Sequence, residues 1–276
     1  MPRRPADSHI FWRDPAFAHL EAREVMDGRT VCYVPHSHPT FSIGAITGGY
    51  SEYLTGTDRF EAAEGTVVLM NPEIVHACNP VNDHPWSYRM LYVDTGWLAC
   101  VQGLPAFRPF GAVISRDRDL YADLMALFDL LFDDGVEVAD KEAGACRFFS
   151  FLAERVDGAG LPLTESHDAL ARAADYITRH CTRDLRVEEV AAASGLSPSY
   201  LIRAFKARYG LTPHAYQTNQ RIRVGQAGLR RGEAIVDVAL DAGFADQAHF
   251  QRVFKAHVAA TPGQYGQQGQ SRSRRR

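Results

Sequence analysis

The chain has 276 residues, 46% of them apolar and 23% charged, which is ordinary globular composition with room for two domains. No apolar run approaches the ~20 residues needed to cross a bilayer, and the opening MPRRPADSH lacks an apolar signal core, so a cytoplasmic location without a membrane partner is expected. The formal net charge of −3 conceals a division: residues 1–164 carry 13 Lys+Arg against 23 Asp+Glu (net −10), and residues 165–276 carry 17 against 10 (net +7). Solvated surface explains many such asymmetries, but only the second half is suited to approach a polyanion. Five dispersed cysteines without a CxxC pair fit reduced thiols better than a disulfide framework.

In chain order, residues 30–34, 41–47, 50–54, 66–70 and 88–93 are short runs rich in Val, Ile, Tyr and Thr. Gly, Pro, Asn and Asp clusters separate them, as they separate strands. Gly48-Gly49 reads as a tight hairpin turn and Asn71-Pro72 as a strand end. Many short strands at this spacing predict a sandwich or small barrel. The period then changes. Apolar residues at 120, 124, 127, 128 and 131 mark one face of a helix, and a second helix over 141–156 carries Phe148, Phe149, Leu152 and Val156. The Leu120/Leu124/Leu127/Leu131 stripe either meets a second copy across a two-fold axis or is buried against its own barrel. The Gly- and Pro-containing stretch after 156 reads as a linker, and everything beyond it reads as helical. The Gln/Gly/Ser/Arg-rich tail has no core-forming residues and is expected to be disordered.

The helical half repeats itself. Residues 187–216 align with 235–265: Ala191 with Ala239, Gly195 with Gly243, Arg203 with Arg252, Phe205 with Phe254, Lys206 with Lys255, Pro213 with Pro262 and Tyr216 with Tyr265. The offset grows from 48 to 49 just after the glycine, so the second copy has one more residue in its turn. Each copy has the parts of a helix-turn-helix. A short helix ends at a glycine able to turn left-handed. An N-cap follows (Ser197 before Pro198, or Asp246), and a second helix buries Leu201 and Phe205, or Phe250 and Phe254. Ser199, Ile202, Arg203 and Lys206, and in the second copy Gln247, Gln251, Arg252 and Lys255, point elsewhere. Arg pairs bidentately with guanine and Gln with adenine, while Lys grips phosphate. A continuous helical pattern over 213–231 would space two such readers along double-stranded DNA. The alternative is a helical bundle whose Arg and Gln merely face solvent.

The segment ALDAGFADQAHFQRVFK (239–255), followed by Thr261-Pro262 and Tyr265, resembles the signature of the AraC/XylS transcription regulators. That resemblance implies that both second helices enter adjacent major-groove segments. It places Ser199, Ile202 and Arg203 at bases from the first, and Gln247, Ala248, Gln251 and Arg252 from the second. Two details depart from the family pattern: Ala259-Ala260 stand where glycine usually precedes Thr-Pro, and Gly266 stands where Arg is common.

In the first half, His36-x-His38 and the run Gly65-x6-Pro72-x3-His76 resemble the two half-motifs of a cupin barrel, the usual sensor domain of such regulators. The Glu that follows His-x-His in metal-binding cupins is absent, so no metal or other cofactor is expected. Three histidines could still serve a metal-dependent enzyme, or they could be structural. The pocket reading takes His36, His38, Tyr50, His76, Trp86, Tyr88 and Arg89 as lining for a small-molecule effector. The expected fold is α+β: a cupin-like β-barrel with two packing helices (1–156), a linker (157–166), an all-α domain with two helix-turn-helix motifs joined by a linker helix (167–265), and a basic tail (266–276). The expected function is a non-enzymatic, sequence-specific transcription regulator. It would act as a homodimer on promoter DNA, within reach of RNA polymerase, under control of an effector. The rival is a regulator that uses its barrel only to dimerise.

Overall fold

The computed structural model describes residues 9–29, 31–56, 58–82, 84–156 and 169–266. The expected linker and all but the first residue of the expected tail lie outside the described residues. Eight strands form one antiparallel sheet: β1 (His9–Trp12), β2 (Leu20–Val25), β3 (Phe41–Thr55), β4 (Asp58–Ala63), β5 (Val67–Met70), β6 (His76–Pro80), β7 (Trp86–Val93) and β8 (Ile114–Ser115). Their order is β1-β2-β7-β3-β5-β8, with β4 and β6 paired to β3.

The runs 41–47 and 50–54 are one strand, not a hairpin. Gly48-Gly49 is a bend within β3, where the register against β7 shifts between Ile46 and Gly48. Gly49 has φ 69°, and a Cβ there would lie 2.0 Å from the Pro85 carbonyl oxygen. The first half of β3 pairs with β5 and β7, and the second half pairs with β4 and β6. Residues 31–34 are not a strand either, because their amides bond elsewhere. Tyr33 N–H donates to Asn79 Oδ1 at 2.6 Å and Val34 N–H donates to the Ala256 carbonyl at 3.0 Å.

Strand parity sorts the sheet into two faces. Leu20 and Ala22 of β2, Phe41, Ile43 and Ala45 of β3, and Leu91 and Val93 of β7 face outward into an apolar layer. That layer is closed by α1 (Thr95–Val101), α2 (Arg118–Phe132) and α3 (Val138–Arg155). The leucine stripe of α2 lies here, with Leu120, Leu124, Leu127 and Leu131 all buried, so it is spent on its own sheet. The alternate residues face inward: Arg23 and Val25 on β2, Ile46 on β3, and Trp86, Tyr88, Met90 and Tyr92 on β7.

The helical half comprises α4 (Ala169–His180), α5 (Val187–Ser194), α6 (Pro198–Tyr209), α7 (Pro213–Arg230), α8 (Ile235–Asp241), α9 (Gln247–Val258) and α10 (Pro262–Gly266). Two separate cores lie along it. Ile177, Val190, Leu201 and Phe205 form the first, and Val238, Phe250, Phe254 and Tyr265 form the second. The spine is α7, 18 residues and about 27 Å long. Its Tyr216 packs on the first core, and its Ile222 and Leu229 enter the second. Barrel and spine are joined by Asn219 Nδ2 donating to the Ser37 carbonyl at 3.0 Å, and by the ion pairs Arg223–Glu73 at 2.7 Å and Arg230–Glu21 at 3.2 Å.

Candidate functional site

The inner face of the sheet encloses a narrow cavity of about 30 Å³. It opens past Tyr33, His36, His38 and Tyr92 into a second cavity of about 280 Å³ between the barrel and α7. The three histidines ring the neck. His36 and His76 are held by reciprocal backbone hydrogen bonds of 3.1 and 2.9 Å, and their rings lie 4.6 Å apart; His38 is 4.7 Å from His76. Each Nδ1 meets a backbone carbonyl, of Val34, Thr40 or Ile74, at 2.8–2.9 Å. Nδ1 is then the protonated nitrogen and Nε2 a bare acceptor. Burial, and then the neighbouring imidazole, pushes His38 and His76 down to about 3, and His36 moves the same way. All three are neutral at ordinary pH. Among the described residues, no three His, Cys, Asp or Glu side chains are arranged to hold a metal ion.

The wider cavity has the opposite electrostatics. Arg23, Arg223 and Arg230 line it, against the single carboxylate of Glu21. Arg23 is fully buried. Its Nη1 donates to Tyr33 Oη at 2.8 Å and to the Val258 carbonyl at 2.7 Å, and its Nη2 lies 2.8 Å from His9 Nδ1. The Nε atoms of Arg23 and Arg223 are buried without a hydrogen-bond partner. With three guanidinium groups, from both the barrel and α7, against one carboxylate, the cavity is receptive to an anion.

The two helix-turn-helix units form as the residue types dictate. In the first, Gly195 closes α5 at φ 73°, and Ser197 caps α6 with Pro198 at its first position. In the second, Gly243 turns at φ 80°, and a Cβ there would lie 2.2 Å from the Thr182 carbonyl oxygen. Asp246 caps α9 by accepting from His249 N at 2.7 Å. The cap follows Gly195 by two residues and Gly243 by three, so the additional residue is absorbed in the turn. Ser199, Ile202, Arg203 and Lys206 on α6, and Gln247, Ala248, Gln251, Arg252 and Lys255 on α9, are all exposed. Leu201, Phe205, Phe250 and Phe254 are fully buried on the opposite faces.

Comparison with known proteins bears on both halves. A profile described as the AraC-like ligand binding domain matches residues 18–150, and a helix-turn-helix domain profile matches residues 190–268. Regulatory protein SoxS of Salmonella typhimurium is 34% identical over 92 residues, 33% of this chain and 86% of SoxS. The chain belongs to the AraC family. It is a DNA-binding transcription regulator with an N-terminal ligand-binding domain. Transcriptional activator NphR of Rhodococcus sp is similar along nearly the whole of this AraC-family chain, at 29% identity over 94% of it and 75% of NphR. Among solved structures, unsaturated fatty acid-bound ToxT from Vibrio cholerae shares the fold at TM-score 0.58 and 15% identity, over 94% of this chain and 93% of that one.

Within this AraC-family barrel, His36, His38, His76, Trp86 and Tyr88 of the expected pocket line the narrow cavity. Tyr50 and Arg89 do not. Arg89 is one residue from Tyr88 and therefore on the other face of β7, where it pairs with Glu24 at 2.9 Å and Asp129 at 2.7 Å. Tyr50 precedes inward-facing Ser51 and lies outside, 5.4 Å from His84. Sequence reasoning missed Arg23, Tyr33 and Tyr92, and all of the α7 wall. The odd-numbered alternation through LEAREV (20–25) would have put Arg23 on the face of Val25, but it depends on recognising a strand in a charged segment. The α7 wall has no local signal, since it lines the cavity only after the two halves dock. No described helix is long and apolar enough to cross a membrane.

Proposed function

We propose that this AraC-family regulator is controlled by a small organic anion held between the barrel and α7, and that it acts by binding rather than by catalysis. The observation that carries this reading is the lining of the 280 Å³ cavity, with Arg23 from the barrel and Arg223 and Arg230 from α7 against the single carboxylate of Glu21. A carboxylate held among these guanidinium groups would bridge the two halves of the chain. Its apolar part would lie toward the aromatic neck formed by Tyr33 and Tyr92. ToxT, which shares the fold, has been solved with an unsaturated fatty acid bound. That is consistent with an acid as effector here.

The reading includes base contacts from Ser199, Ile202, Arg203, Gln247, Ala248, Gln251 and Arg252, and phosphate contacts from Lys206 and Lys255. It divides the chain into a sensor of residues 1–156 and a DNA-binding domain of residues 167–265. The regulator works in the cytoplasm as a homodimer, joined through the outer face of α3 and meeting RNA polymerase at the promoter.

The test is thermal unfolding with a panel of carboxylic acids, including unsaturated fatty acids and aryl acids. A binding acid raises Tm with concentration, and Arg223→Gln removes most of that rise. No shift across the panel, or a shift indifferent to Arg223→Gln, would overturn the anion reading.

A further inference from the structure

The faces that α6 and α9 leave exposed differ at two positions. On α6, Ser199, Ile202, Arg203 and Lys206 are spaced i, i+3, i+4 and i+7, which is one helical face. Their counterparts on α9, each 49 residues on, are Ala248, Gln251, Arg252 and Lys255. The arginine and the lysine are common to both. The central position is not. There α9 carries a Gln, with an amide to donate and accept, and α6 carries an Ile, with neither. Ile202 is 41% exposed and the nearby Tyr200 52%, whereas among the described residues α9 exposes no large apolar side chain.

The core side of α6 is filled by Leu201 and Phe205, both fully buried, so Ile202 is not spent on the fold. A β-branched residue is also a poorer helix former than Ala, Leu or Gln, so local structure does not call for Ile at this position. Its neighbours restrict what it can meet. Arg203 follows it and Lys206 stands one turn on, both exposed, so Ile202 shares the surface that approaches a polyanion. A phosphate or a hydrogen-bonding base edge gains nothing from an aliphatic side chain. Of the groups on the base edges of the major groove, the thymine C5-methyl is the apolar one.

We propose that Ile202 reads thymine: its side chain packs on the C5-methyl of a thymine in the major-groove segment that α6 enters, beside the base taken by Arg203. The assignment rests on α6 being a reading helix, and it names the base that one of its side chains requires. Ile202 and Arg203 are consecutive, so the thymine falls within about two base pairs of the base taken by Arg203, at roughly 3.4 Å per step. At the equivalent place on α9, the Gln251 amide suits the N6 and N7 edge of adenine instead. The two readers therefore answer differently to a lost methyl group. The first is weakened by it, and the Gln251 contact is not.

The test uses the full chain and a duplex selected from a random pool by the wild-type chain, with each thymine replaced in turn by deoxyuridine. That replacement keeps every hydrogen-bonding group of the base and removes only the methyl. At fixed salt, one such replacement should lower wild-type affinity about fourfold, the equivalent of one buried methyl. Ile202→Ser should bind the parent duplex more weakly by at least about that factor, keep the wild-type Tm, and be indifferent to the replacement. Arg203→Ala should still respond to it. The difference between the responses of wild type and Ile202→Ser is the coupling of this side chain to the methyl. Absence of a responding thymine in the wild type, or a response of equal size in Ile202→Ser, overturns the thymine assignment. If Arg203→Ala weakens binding in either case, α6 remains a reader; if it binds as wild type, that reading falls as well.

Discussion

Arg203 and Arg252 occupy equivalent places in the two repeats, each exposed and midway between the buried i, i+4 pair of its helix, Leu201 and Phe205 or Phe250 and Phe254. Among the described residues neither is held in an ion pair, whereas Arg183, Arg223 and Arg231 in the same half are. A guanidinium left unpaired on a reading helix is available for guanine. Arg203→Ala and Arg252→Ala are each expected to cost about 1–3 kcal/mol at a selected duplex and to relax base preference at one position only. Fluorescence anisotropy with the duplex and its single-base variants checks both. Because the turns differ by one residue and the side chains differ (Ser199 and Ile202 against Gln247 and Gln251), the relaxed positions should be different bases. Equal affinity of both variants and wild type would remove α6 and α9 as readers.

At the scale of elements, periodicity decides which faces remain free. The leucines of α2 are consumed by the outward face of the sheet, so that stripe cannot also meet a second copy. The face of α3 turned away is different. Phe151 is 55% exposed and borders a groove with Ala126 and Leu130 of α2. An exposed phenylalanine beside an apolar groove is a candidate two-fold contact. Phe151→Glu is expected to shift a dimer to monomer in sedimentation, with little change in Tm because the residue is outside the core. A variant that sediments as wild type would place the dimer contact elsewhere. The same logic of faces explains the pocket errors. Tyr88 and Arg89 are neighbours in sequence, and a strand sends neighbours to opposite sides.

Over the whole molecule, burial of neutral histidines couples stability to pH. His9, His38 and His76 are pushed down to about 3, and His36 and His257 also fall, in every case chiefly by burial. The unfolded chain binds protons at these sites near the ordinary histidine value of ~6.5. Below that pH it binds more protons than the native chain, so stability present above about 6.5 is lost progressively as pH falls toward about 3. Thermal unfolding between pH 7.5 and 5 should show Tm falling with acidification, with a shallower slope in His76→Asn. A flat profile would mean that these rings are solvated. His9 and His257 border the seam between barrel and α9, so part of this dependence belongs to docking.

The sequence by itself determined the two helix-turn-helix units. A helix-turn-helix is local: its glycine, its N-cap and its i, i+4 core pair all fall within about twenty residues. Two aligned copies therefore identified α5–α6 and α8–α9, and the side chains they leave exposed, before any fold was known. The existence of a sheet and of two amphipathic helices was legible for the same reason. Strands with charged residues, β2 and β4, were not, because their pattern makes sense only beside the neighbours they pair with. Tertiary structure alone decided the cavity between barrel and α7 and the seam between barrel and α9. Arg23 and Arg223 are 200 positions apart in the numbering, and Ala259 reads in the sequence as a weakened helix end. Only docking makes the two guanidinium groups opposite walls of one cavity and gives the alanine methyl a place in the barrel core, because burial and electrostatics depend on proximity in space, which no local pattern encodes.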